Sequence, residues 1–362
     1  MSGGVARLTI DLDALAHNYR VLAAEADGAA VAPVVKADGY GLGAVAVARR
    51  LWAEGARSFF TARLTEAEAL REGLGAERPA AIHVLDGLTA GSGPRLVRAG
   101  LTPVLSSLPQ VGAATAFARA LGRPLCVGLH VDTGMNRQGV TPQEAAALAQ
   151  SSDRLRGLDL DLVMSHLGAG PDPADPHNAR QLERFATARA LFPEARASLA
   201  ASAGTFLGPD YRFDLVRPGV SLYGGGPQER PDPRLRTVAR LTAPILDLRT
   251  VRPGERLGYG ASVVLERTTR VALVGAGYAD GVIRAARGGY AWFAGARRRL
   301  LIVNMDLLAI DLGDAEAQIG EPVELLGDNA PLDDLAAAAG TVAHEVLVRQ
   351  GRRGERIYLG EV

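Results

Sequence analysis

Lys36 closes the apolar run Val31–Val35. It leads at once into Ala37-Asp38-Gly39-Tyr40-Gly41-Leu42-Gly43, ahead of the helical pattern Ala44–Trp52. An apolar run of this length without alternation suits a strand buried on both faces. A lysine ending such a strand sheds part of its hydration, which lowers its pKa toward the free amine. Free amines condense with aldehydes. Turn glycines before a helix let backbone N–H groups approach an anion. An amine beside an anion cradle suggests pyridoxal 5′-phosphate, with Lys36 as the Schiff-base lysine. A salt-bridged surface lysine fits the same position, and position alone does not separate the two.

Other polar residues also stand just after strand-like runs: Asp132, Arg137, His166, Ser202 and Arg217. The segment His130-Val131-Asp132-Thr133-Gly134-Met135-Asn136-Arg137 gathers hydrogen-bonding groups, although Asp-Thr-Gly alone is a common turn whose aspartate caps a loop. His130, a lone strand histidine, reads as structural. His166 suits either a satisfied core histidine or a ring beside the cofactor, bonded to Arg217. Arg217 ends the apolar run Leu215-Val216, where an unpaired guanidinium is costly. It needs a partner, and a pyridine nitrogen is a good one. An always-charged arginine there disfavours protonation of that nitrogen and leaves a weaker electron sink than a carboxylate would. Ser202-Ala203-Gly204 and Gly219-Val220 are ordinary turns singly. Together they fit a phosphate site of backbone N–H groups after the last two barrel strands. Gly258-Tyr259-Gly260-Ala261 reads by itself as a turn or packing tyrosine.

These residues need elements to hold them. Strand-like runs recur at Val31–Val35, Ser58–Thr61, Ile82–Leu85, Thr102–Leu105, Cys126–Val131, Leu160–Met164, Ala197–Ala200 and Phe213–Val216. Amphipathic patterns lie between most of them, including Thr65–Gly73, Gln110–Leu121, Pro142–Ala149 and Asn178–Leu191. Before them come a short strand, Leu8–Asp11, and the helix Ala14–Ala24, for which Asp13 is the expected N-cap. This beat predicts a (β/α)8 TIM-like barrel, whose active site sits at the strands' C-terminal ends. An open doubly wound sheet is disfavoured because no G-x-G-x-x-G turn follows the first strand. After about Arg236 the helical pattern nearly disappears, apart from Leu332–Ala339. Strand-like Thr237–Leu248, Thr269–Gly275, Ala291–Phe293, Leu300–Val303 and Val323–Leu326 predict a mostly β domain. The expected division is a barrel over 8–236 and a C-terminal β domain over 237–362. Gly224–Pro233 is the linker region, and the N-terminal strand 1–10 is a candidate to join the second domain.

The chain has 362 residues, is 48% hydrophobic, and balances 40 basic against 40 acidic side chains. Balanced, scattered charge gives no reason to expect a nucleic-acid or anionic-membrane partner. The single cysteine, Cys126, lies in an apolar run and is expected to be a buried small hydrophobe. One cysteine excludes an internal disulfide and fits a reducing compartment. No apolar run reaches spanning length, and Met1–Arg7 lacks a signal-peptide core. A soluble, cytoplasmic protein is expected, with no metal site.

The stretch around Lys36 resembles the cofactor-lysine signature of alanine racemases, VVKAxAYGxG in most members. The remaining motifs recur in that family's order over nearly the whole chain. The resemblance implies a homodimeric, pyridoxal 5′-phosphate-dependent enzyme that interconverts L- and D-alanine and supplies D-alanine for the cell wall. It implies that Tyr40, Ser202, Gly219 and Val220 form the phosphate-binding set, that Arg217 faces the pyridine nitrogen, and that Arg137 contacts the cofactor phenolic oxygen and the substrate carboxylate. Tyr259 is similar to the second catalytic base, contributed across the dimer interface. Racemisation needs acid–base groups on both faces of the α-carbon, and one lysine reaches only one. Lys36 would then serve the D-face and Tyr259 the L-face, with nearby positive charge activating the phenol. Met305 corresponds to a residue whose backbone N–H meets the substrate carboxylate, and Tyr278 and Arg284 to residues lining the substrate corridor.

Three positions depart from the family pattern. His130 replaces a carbamylated lysine that orients the arginine, Ile302 replaces a corridor arginine, and His344 replaces a phosphate-contacting tyrosine and alters the corridor. These departures keep a racemase of another small amino acid, such as serine, as an alternative. A decarboxylase or aldolase on the same architecture, and a non-catalytic cofactor carrier, are rivals from other classes.

Overall fold

From Leu12 to Val216 short apolar strands alternate with helices that bury one face. The computed structural model describes residues 5–151, 153–259, 263–350 and 353–361. The chain begins with β1 (Arg7–Asp11), α1 (Leu12–Ala26), β2 (Ala30–Val31), α2 (Ala44–Ala53), β3 (Ser58–Thr61) and α3 (Leu64–Leu74). It continues with β4 (Ala81–Val84), α4 (Gly93–Ala99), β5 (Thr102–Leu105), α5 (Leu108–Leu121), β6 (Leu125–His130) and α6 (Pro142–Ala149). Then come β7 (Leu158–Met164), α7 (Pro176–Ala190), β8 (Arg196–Ser198), the single turn α8 (Ser202–Thr205) and β9 (Leu215–Val216).

Strands β3 to β8 form a parallel sheet in chain order, and β2 pairs with β9 in parallel. Parallel bridges Val34–Phe60 and Ala201–Arg217 join the two sheets, so the eight strands close into the expected barrel. Both faces of its strands are covered, with Phe59, Phe60, Ile82, Val104, Leu129 and Leu162 all at most 1% exposed. A barrel core of this kind is packed rather than hollow, so function moves to its rim.

The second unit holds β10 (Ala239–Val251), β11 (Arg256–Leu257), β12 (Val263–Val264), β13 (Thr269–Val274), β14 (Tyr290–Phe293) and β15 (Ala296–Val303). It also holds β16 (Leu308–Asp311), β17 (Pro322–Leu326), α9 (Leu332–Ala338), α10 (Ala343–Val348) and β18 (Glu355–Leu359). Its main sheet runs β13-β16-β15-β14-β17-β10-β1-β18, and β13 also pairs with β10, closing a β-barrel. The long β10 allows this closure: its first half pairs with β1 and β17, its second with β13, with a shift at Ile245/Asp247. Strand β1 is thus a member of this sheet, antiparallel to β10 and parallel to β18. Residues up to His17, Tyr40–Leu42 and Tyr223–Glu361 make up this unit; 18–39 and 43–222 make up the other.

Several local expectations need correction. The strand expected over Val31–Val35 is regular only at Ala30–Val31, because Pro33 has no N–H to donate; Val34 rejoins the sheet as a bridge. Helix α1 is capped by Asp11, whose Oδ1 accepts the Ala14 N–H at 2.8 Å, and not by Asp13. Cys126 is exposed, since alternate side chains of β6 point outward. Partial desolvation and the neighbouring Asp161 and Asp159 carboxylates nevertheless push its thiol pKa up. No described helix is long and apolar enough to cross a membrane.

Candidate active site

Lys36 is the only lysine in the sequence. It stands beyond the C-terminal end of β2, where the chain makes an unusual turn. Ala37, Asp38, Gly39 and Tyr40 all have left-handed backbone angles, with φ of 53°, 56°, 62° and 55°. For residues with a Cβ this conformation costs roughly 1–2 kcal/mol each, so something must hold it. The Gly39 N–H returns to the Val35 carbonyl at 2.9 Å, and Asp38 Oδ1 takes the Ala44 N–H at 3.0 Å, capping α2. Burial, and next the Arg137 guanidinium, lower the Lys36 pKa, while the Glu66 carboxylate works in the opposite direction.

Arg217, 3% exposed at the end of β9, donates to Ser198 Oγ and, at 2.5 Å, to the Ser165 carbonyl. These bonds replace the one expected with His166, and they occupy only part of the guanidinium's donor fork. Burial brings the Arg217 pKa down to about 9, so it stays charged at neutral pH. His166 lies well below its ordinary pKa because of desolvation and then the Arg217 and Arg137 charges; His130 falls to about 4 for the same reasons. Both rings are neutral.

Ser202 Oγ accepts the Gly219 N–H at 2.9 Å and the Ser221 N–H at 3.2 Å, drawing the turns after β8 and β9 together around Val220. The buried Ser221 hydroxyl has no partner among the described residues. Such an orphan costs about 1–3 kcal/mol, which an anionic oxygen could relieve. After β6, Asp132 Oδ1 collects the N–H groups of Gly134, Met135 and Asn136, so Asp132 is a loop cap. It shapes the turn that presents Arg137, which is exposed. A partly desolvated amine, a buried arginine with spare donors and a small-residue cradle with an orphaned hydroxyl fit pyridoxal 5′-phosphate well.

The remaining expected residues belong to the second unit. Tyr259, Tyr278, Arg284 and Met305 line a cavity of about 920 Å³, together with Ile302, Asn304 and Asp306. Tyr259 is 84% exposed. It follows Gly258, whose φ of 80° favours glycine, and a Cβ there would lie 3.1 Å from Ile302 Cγ2. Ile302 itself sits in an apolar cluster with Leu265, Val271, Leu301 and Ala309. Gly260 and Ala261 lie outside the described residues. Tyr40 is buried, its ring centroid 4.7 Å from that of Tyr223 and 5.8 Å from that of His344, and burial pushes its phenol pKa up.

Several supporting residues carry weak sequence signals. Glu66 is legible only as an N-terminal helix glutamate. Buried Gln181 on α7 donates to Thr133 Oγ1 and the His166 carbonyl and accepts the Gly168 N–H, tying two loops together. Arg353 makes a two-pronged bond to Asp280, at 3.0 and 2.7 Å, and a third to Asp306. Those carboxylates sit beside Tyr278 and Met305, a link no local pattern announces.

Comparison with known proteins accounts for both units. Residues 10–227 match the family described as alanine racemase, N-terminal domain, and residues 238–358 its C-terminal domain. The chain is 44% identical over 98% of both lengths to the alanine racemase of Methylobacterium sp. (strain 4-46). It is 40% identical to the protein named alanine racemase, catabolic, of Agrobacterium fabrum, covering 99% of this chain and 93% of that one. It is similar in structure, with a TM-score of 0.93 and 32% identity over 98% and 99% of the two chains, to the Bartonella henselae alanine racemase solved with covalently bound pyridoxal phosphate. Matches spanning both units at these identities show that the chain belongs to the alanine racemase family.

Proposed function

We propose that this protein interconverts L- and D-alanine with pyridoxal 5′-phosphate held on Lys36. The observation carrying this reading is a lone lysine with a lowered pKa, on the barrel rim that also bears buried, charged Arg217. When bound, the cofactor draws electrons from the substrate α-carbon and makes its hydrogen acidic. Lys36 Nζ holds the cofactor and then moves a proton at the D-face. The Tyr259 phenol, from a second copy of the chain, moves one at the L-face. Its exposure in the single chain supports that arrangement, since a base serving another subunit must project outward.

Arg217 keeps positive charge against the pyridine nitrogen and so limits how far electrons drain from the α-carbon. Ser202, Gly219 and Val220, with Tyr40, hold the phosphate, and His166 stays a neutral neighbour of Arg217. Arg137 binds the substrate carboxylate with the Met305 amide. Tyr278, Arg284 and His344 line the corridor. Enantiomers are equal in free energy, so one active site serves D-alanine supply or breakdown. We assign it to supply for the cell wall, in the cytoplasm; growth of a deletion strain without D-alanine would overturn that assignment.

Borohydride trapping with peptide mapping should place the label on Lys36, and chiral chromatography should show alanine racemised. Serine turnover far above alanine would overturn the substrate assignment. Full activity in Tyr259→Phe would favour a one-base reaction such as decarboxylation, and cofactor uptake without any turnover would favour a carrier. Mixing inactive Lys36→Ala with inactive Tyr259→Phe should restore activity if the site is shared between subunits.

A further inference from the structure

The Glu66 carboxylate joins two loops on the barrel rim. Its Oε1 accepts the Ala37 N–H at 2.9 Å, the first amide after Lys36. Its Oε2 accepts the N–H groups of Ala62 at 2.9 Å and Arg63 at 3.1 Å, in the loop after β3. One side chain therefore starts helix α3 and anchors the first residue of the left-handed turn. A helix cap needs only the second pair of bonds; the bond to Ala37 spans 29 positions of sequence and adds nothing to α3. The Glu66 carboxylate also raises the basicity of the Lys36 amine, against burial and Arg137. The third titratable group near that amine, His166, is neutral.

The geometry points to Glu66 as a positioning residue for Lys36: its carboxylate ties the first amide after Lys36 to the loop after β3 and so fixes the turn that aims the amine. This inference rests on the reading of Lys36 as the cofactor-bearing lysine, for which wild-type borohydride trapping is the separate control.

Because no other lysine exists, amine-selective labelling of the full chain, freed of cofactor, reports Lys36 and the N-terminus alone. Two variants divide the roles. Glu66→Gln removes the charge and keeps one acceptor, enough for Ala37 but not also for the Ala62 and Arg63 amides. Its Lys36 labelling midpoint should fall, and the pH profile for covalent uptake of pyridoxal 5′-phosphate should shift the same way. Glu66→Asp keeps the charge but is one methylene too short to span both loops. Its midpoint should stay near wild type while uptake slows about tenfold at every pH.

Wild-type midpoints and uptake rates in both variants, at matched thermal stability, would overturn the proposal. So would slowed uptake that disappears on restoring stability with an osmolyte, since that marks a helix cap and nothing more. If wild-type trapping misses Lys36, the functional reading falls first and independently.

Discussion

Arg217 donates to the Ser165 carbonyl at 2.5 Å, immediately before His166, and also to the Ser198 hydroxyl. That hydroxyl in turn donates to the Leu215 carbonyl at 2.5 Å, so the guanidinium is braced from two neighbouring strands. Ser198→Ala removes one brace and leaves a buried donor and acceptor unmet. We expect a stability loss of about 1–3 kcal/mol by denaturant unfolding, and faster cofactor loss on dialysis. Unchanged retention would show that Ser165 alone suffices to hold Arg217.

Acid should unfold the barrel in a defined window. His83 and His130 have pKa values lowered to about 4 from 6.5, chiefly by burial, and His166 also lies well below its ordinary value. Between pH 6.5 and 4 the unfolded chain binds protons that the folded chain refuses, so stability falls as pH drops through that range. The slope of unfolding free energy against pH should correspond to uptake of up to about three protons, one each for His83, His130 and His166, on top of any carboxylate contribution. His130→Gln should reduce that slope; an unchanged slope would show that His130 is protonated in the fold.

Glycine 258 is a conformational requirement rather than a spacer. Gly258→Ala meets a φ of 80° and the packed Ile302 side chain together, at a cost of about 1–2 kcal/mol. Displacement of Tyr259 should lower turnover at least roughly tenfold while cofactor uptake by Lys36 stays normal. Loss of both would mean that the change reaches beyond the Tyr259 turn.

Arg353 links the segments that carry Tyr278 and Met305. Gly277 lies so close to Asn304 and Met305 that a Cβ would be 2.3 Å from the Asn304 carbonyl oxygen, and the Tyr278 and Ala279 N–H groups bond to those two residues. Arg353→Ala should raise KM for alanine about tenfold, equivalent to about 1.4 kcal/mol, and leave the bound-cofactor spectrum intact. Arg353→Lys should rescue poorly, because a lysine cannot make the two-pronged bond to Asp280.

Much of the barrel could be read before the structure because both-face burial makes its strands plainly apolar. The runs Ser58–Thr61 and Thr102–Leu105 coincide with β3 and β5. The misreadings have local causes. Pro33 interrupts an otherwise strand-like run, and Cys126 occupies an outward position that composition hides. Strand β18 carries Glu355 and Arg356 and so has little apolar signal, whereas the apolar run of β16, Leu308–Ile310, gives no local sign of its end or its partners. At the candidate site, Lys36 and Arg217 stood out because charge at the end of an apolar strand is anomalous. Ser198, Gln181, Glu66 and Arg353 did not, since their importance comes from partners distant in the chain. The left-handed backbone from Ala37 to Tyr40 was equally invisible: only Gly39 among those residues advertises it.

Strand β1 lies between β10 and β18, neighbours separated from it by most of the polypeptide. During synthesis Leu8 and Ile10, both buried in the finished sheet, must wait until Leu359 has left the ribosome before their last partner strand exists. The intervening barrel segment can condense in that interval, whereas the β unit closes late. A ribosome stalled short of Glu355 would release a chain whose first strand still bears an open, sticky edge.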